Sequence, residues 1–120
     1  MRQFSHYAAL DWSGARGERH RGIALAVASH DKAPRLIRPD HIWSRMEISE
    51  WLMKQASQGS DMLIGFDFSS SFAFADRGAY FPTWPESPTH ITDLWAMVEQ
   101  YSQSDPHLGG HGFLEHPEIH

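Results

Sequence analysis

The sequence predicts a mixed α/β fold in one domain: three antiparallel strands, a helix, a fourth strand parallel to the first, then a second helix. Three observations carry this reading. Two short apolar runs, Tyr7-Ala8-Ala9-Leu10-Asp11-Trp12-Ser13-Gly14 and Met62-Leu63-Ile64-Gly65-Phe66-Asp67-Phe68-Ser69, each close on an aspartate, with one aromatic residue and then small, turn-forming residues after it. Strand-like segments separated by turn residues lie between them. A Ser-x-x-Glu box, Ser44-Arg45-Met46-Glu47, opens an amphipathic stretch before the second run.

The first strand covers about residues 7–11. Residues 14–22 form a glycine-containing turn, and the second strand follows over about 22–29, with Ile23, Leu25 and Val27 on one face and alanines on the other. The short link makes the pair antiparallel. His30-Asp31-Lys32-Ala33-Pro34 reads as a second turn, and the third strand as about 35–42, with Pro39 marking it as an edge. The first helix runs from its Ser44 cap to about Ala56, with Ile48, Trp51, Leu52 and Gln55 on one face and Glu50 and Lys54 paired on another. Gly59 stands beyond its end as a stop. The fourth strand, about 62–68, is almost continuously apolar, which predicts a central strand covered on both faces. Residues 69–88 form a long aromatic-rich connection. Ser87 is read as the cap of the second helix, with Pro88 at its first position and Ile91, Leu94, Trp95, Val98 and Tyr101 as its stripe. From Gly109 to the last residue the chain looks like the start of another element, so the domain, residues 1–120, is expected to be incomplete at its C-terminus.

Bulk properties bound the function. The chain has 120 residues, enough for one small domain, with 41% hydrophobic and 21% charged residues, ordinary for a folded protein. Its formal net charge of −5 supplies no global field for nucleic acid, so such binding needs a local patch or a cation. Cysteine is absent, which excludes disulfides and thiolate metal sites and fits a cytoplasmic protein. No signal-length or membrane-spanning apolar segment is present, so no membrane partner is expected.

If the first and fourth strands are neighbours, Asp11 and Asp67 share one edge of the sheet. Two such carboxylates repel each other and are costly to bury unless a cation or proton lies between them. A divalent metal and phosphate chemistry suit that arrangement. Ser13, Gly14 and the Ser69-Ser70-Ser71 run are candidates to hold phosphate oxygens, and Arg16, Arg19, His20 and Arg21 form a basic turn. Plainer readings stand beside these: aspartate often ends strands by accepting from turn amides, serine runs make turns, and arginine-rich hairpin tips are usually solvated. His107, His111, His116 and His120 cluster near the C-terminus, but the intervening glycines and Pro117 oppose the helix that a zinc pair would need.

The element order, with Asp11 in Ala9-Leu10-Asp11-Trp12-Ser13-Gly14 and Asp67 in Ile64-Gly65-Phe66-Asp67-Phe68, resembles the ribonuclease-H-like superfamily. It is similar to bacterial proteins of that superfamily described as predicted nucleases. The resemblance covers roughly residues 7–100 and treats the chain as an N-terminal fragment. It implies a metal-dependent phosphodiester hydrolase, or an inactive piece of one, with Asp11 and Asp67 as catalytic metal ligands. It further implies magnesium, or manganese in its place, and nucleic acid as partner. Glu47, or alternatively Glu50, stands where such proteins carry a glutamate on the first helix; Glu115 and Glu118 are further candidates if the tail folds back. Two other functions stay open. One is a nucleotide-binding lobe of the actin-like and sugar-kinase kind, with Asp11-Trp12-Ser13-Gly14 as its phosphate turn. The other is a non-catalytic scaffold that uses the aromatic connection as a contact surface.

Overall fold

The computed structural model describes residues 3–69, 71–74 and 78–119. Its contacts group into two compact units, Met1–Phe68 and Ser69–His120.

In the first unit, β1 (His6–Asp11) is set by alternation: Ala8 and Leu10 turn into the core while Ala9 and Asp11 turn to solvent. Two-residue β2 (Arg19–His20) follows a loop, then β3 (Ala24–Ser29), antiparallel to β1 with Asp11 opposite Ala24 and Leu10 opposite Leu25. The alanines Ala24, Ala26 and Ala28 share the face of Ala9 and Asp11, and Leu25 and Val27 take the core side, as their alternation predicts.

The third long strand is displaced from its expected place. β4 (Lys32–Leu36) begins directly after the His30-Asp31 turn, because so tight a reversal lets pairing with β3 start at Lys32. The Ile37 amide still donates to the Leu25 carbonyl, and then Arg38, at φ 50°, turns the chain away. Pro34 rather than Pro39 is therefore the proline inside the strand, tolerated because β4 lies at the sheet's end. β5 (Trp43–Ser44) pairs with β2 in a separate two-stranded ribbon.

Helix α1 (Arg45–Ser57) opens on the reciprocal capping box: the Glu47 amide donates to Ser44 Oγ, and the Ser44 amide donates to Glu47 Oε2. It closes on Gly59 at φ 65°, where the Gly59 and Ser60 amides cap the Ala56 and Gln55 carbonyls. Ile48, fully buried, joins Ala8, Leu10, Ile23, Leu25 and Trp43 in the core, with Trp51 and Leu52 packed alongside. Each leucine or isoleucine among them contributes about 1.5–3 kcal/mol on burial.

β6 (Met62–Asp67) is parallel to β1, and the sheet order is β4-β3-β1-β6. The strand is not central, and it is not covered on both faces. Met62 and Ile64 pack on the core, whereas Leu63 and Gly65 on the other face are exposed. Its continuous apolarity reflects one packed face plus exposed apolar residues, which are common at protein surfaces.

In the second unit the chain turns at Trp84 and Ser87 before α2 (Ile91–Ser102). The cap of α2 is His90, not Ser87; the Ser87 hydroxyl instead accepts from the Phe81 amide. Ile91, Leu94, Val98 and Tyr101 face the small core built on Phe81, Trp84, Leu94 and Phe113, while Trp95, expected in the same stripe, is 53% exposed. Short α3 (His111–Leu114) supplies Phe113, and the Gly112 amide donates to Asp105 Oδ2 at 2.7 Å. His116 stacks flat on Trp84 with ring centroids 4.5 Å apart. The aromatic connection thus supplies a local core. Among the described residues, no helix is long and apolar enough to cross a membrane.

Candidate functional site

β1 and β6 run in register from His6 beside Met62 to Asp11 beside Asp67. Register partners on neighbouring parallel strands project to the same face, and strands lie about 4.8 Å apart. The two aspartates are therefore side by side at the C-terminal ends of their strands. Both are exposed, on the face opposite to α1. They border a shallow groove of about 500 Å³ whose floor is Ala9, Ala24, Ala26 and Gly65, with Leu36 at its flank. Small side chains make the floor flat, and the carboxylates supply its polar end.

Exposed paired carboxylates suit a hard cation that takes oxygen ligands and keeps several waters, which is how magnesium binds. The donor set fits on its chemistry. Among the described residues, no group of three or more His, Cys, Asp or Glu side chains converges as metal ligands. Glu47 is engaged by partners of its own. It sits at the N-terminus of α1, where its carboxylate accepts from the Ser44 amide at 2.9 Å, from Arg19 Nη1 at 3.0 Å, and lies 3.1 Å from His41 Nε2. The Ser44 amide, then His41 and Arg19, outweigh desolvation and hold its pKa down to about 2.

The other candidates fall as follows. Ser13 Oγ accepts from the Ala15 amide at 3.4 Å, a local turn bond, and a side chain at Gly14 would meet open space. Ser69 belongs to the second unit, and its hydroxyl donates to the Ser71 carbonyl at 2.9 Å. Ser70 and His120 lie outside the described residues. In the basic turn, Arg16, Arg19 and Arg21 are exposed, Arg19 donates to Glu47 and to the Ile42 carbonyl, and His20 is buried.

Sequence reasoning missed Arg45. Only 2% exposed, it donates through Nη1 to the Ser13 and Ala15 carbonyls, each at 3.0 Å, and through Nη2 to the Gly17 carbonyl at 3.4 Å. His20 Nε2 lies 3.0 Å from both Arg45 Nη1 and the Gly17 carbonyl; one tautomer accepts from the guanidinium, the other donates to the carbonyl. Burial lowers the Arg45 pKa. Gly17 holds φ 106°, a conformation that side chains other than glycine's rarely adopt. Inside a capping box an arginine reads as a solvated helix residue, and its carbonyl partners lie about 30 positions away, so no local pattern signals them.

No family model, curated protein or solved structure matches this chain.

Proposed function

We propose that the first unit carries a divalent-cation site at Asp11 and Asp67 and that this site serves phosphodiester hydrolysis, with nucleic acid as the substrate class. The in-register placement of two exposed carboxylates at neighbouring strand ends carries this reading. The ribonuclease-H-like resemblance of the element order and of the two aspartate motifs supports it. Asp11 and Asp67 present oxygens that repel one another and so favour a cation between them. When bound, magnesium or manganese supplies a nucleophile from water at neutral pH and offsets charge on the leaving oxygen. The exposed Arg16 and Arg21 provide local positive charge in a chain of net charge −5.

A second reading, a nucleotide-phosphate turn after Asp11, is favoured by one observation. It rests on Asp11-Trp12-Ser13-Gly14, whose aspartate-x-x-glycine pattern resembles the phosphate turn of the actin-like and sugar-kinase kind, at the exit of β1.

The test is cleavage of single- and double-stranded DNA and RNA by the full chain with and without Mg²⁺ or Mn²⁺. Metal-dependent cleavage lost in both Asp11→Asn and Asp67→Asn is the expected result. ATP binding without cleavage favours the second reading; neither response removes both.

A further inference from the structure

Asp11 is the last residue of β1, paired with Ala24 of β3 on one side and Asp67 of β6 on the other, and the ladder ends there. Beyond it the chain passes Trp12, packed on the core, and reaches Ser13, whose carbonyl is the first of the three that Arg45 holds. Burying a guanidinium is costly, and only its planar fork of donors can serve several carbonyls together. Three of its partners lie in one segment, residues 13–17, directly after the carboxylate, and His20 is a fourth. Arg45 thus fixes the backbone directly after the last paired residue of β1, and a cation held by two carboxylates depends on both staying in place.

We propose that Arg45 is a positioning residue for the Asp11 half of the candidate cation site, acting through its grip on the Ser13, Ala15 and Gly17 carbonyls. This rests on the divalent-cation reading above. Arg45 touches neither carboxylate in this role; it fixes the backbone from which Asp11 projects.

The experiment uses the full chain and Mn²⁺ alone, followed by paramagnetic broadening of the Leu10, Trp12 and Phe66 amides in NMR spectra. The wild type is expected to broaden saturably, and Asp67→Asn is expected not to. Arg45→Met is expected to weaken Mn²⁺ by about ten- to a hundred-fold, the range for residues that orient metal ligands. The slow exchange of the Ala8 and Leu25 amides should persist in that variant. Free guanidinium at a sub-denaturing concentration should restore binding to Arg45→Met and leave the wild type unchanged. Arg45→Lys, which keeps the charge but not the fork, should fall between. Equal Mn²⁺ affinity in wild type and Arg45→Met overturns the proposal and leaves the cation site standing. Absence of saturable broadening in the wild type removes the cation site, and the proposal with it. Loss of Ala8 and Leu25 protection in both Arg45 variants makes the residue part of the core and also overturns the proposal.

Discussion

Asp67→Asn should stabilise the first unit in the absence of divalent ions and destabilise it, relative to wild type, in their presence. Asp11 and Asp67 are register partners, which places two negative charges about 5 Å apart across neighbouring strands. Their repulsion is about 0.8 kcal/mol in a water-like dielectric and about 3.3 kcal/mol at an effective dielectric of 20. Both side chains are exposed, so the lower figure governs, and salt at 0.1 M, with a Debye length of about 10 Å, screens part of it. The expected gain is about 0.5–1 kcal/mol at low ionic strength, shrinking as sodium chloride is added. Magnesium inverts the order. A ligand at a hundred times its Kd stabilises the state that binds it by about 2.7 kcal/mol, and only the wild type presents both carboxylates. The assay is urea unfolding followed through the Ala8 and Leu10 amide resonances, which report the first unit alone. It is run with and without Mg²⁺ at matched ionic strength. A variant less stable than wild type without Mg²⁺ would refute the repulsion argument and make Asp67 a structural strand end. Equal Mg²⁺ responses in the two proteins would refute the shared-cation argument.

Further outcomes follow from the same geometry. Glu47→Ala removes half the capping box and the contacts to Arg19 and His41, and should cost about 1–2 kcal/mol in urea unfolding at pH 7. Because the folded carboxyl titrates at about 2 against an ordinary 4.5, its contribution is present above pH 4.5 and fades as pH falls towards 2. Glu47→Ala should therefore flatten the acid limb of the stability profile, and an unchanged limb would contradict the assignment. Leu25→Ala, at a β3 side chain 1% exposed in the core, should cost about 2–5 kcal/mol in the first unit, measured by the same amide resonances. Gly112→Ala would drive a methyl group into the Tyr101 carbonyl and should cost about 1–3 kcal/mol in the second unit, read from Phe113 and Leu94 resonances.

Local signals in this chain were legible where the chemistry is local. Ser44 and Glu47 are three residues apart, and their box forms because each side chain meets the other's backbone amide. The alternation of Ile23, Leu25 and Val27 with alanines sorted the two faces of β3 correctly. Ser87 misled because a serine before a proline is a good helix cap in isolation, whereas here its hydroxyl is engaged by the Phe81 amide six residues earlier. Trp95 departs from the expected stripe: it is 53% exposed, whereas Leu94 beside it is buried. β2 and β5 are two residues each, too short to carry a periodic signal.

The order of strands along the chain, the closing aspartates and the helix between β1 and β6 are properties of the linear chain. A helix between two strands demands a crossover, and a crossover permits parallel neighbours. That Asp11 and Asp67 stand opposite one another, not one residue out of step, was decided by tertiary packing. A slip of β6 by a single position would have turned Met62 and Ile64 out of the core. The same packing closed Arg45 over the loop after Asp11. A guanidinium meets carbonyls 30 residues away only once α1 has been laid across the sheet.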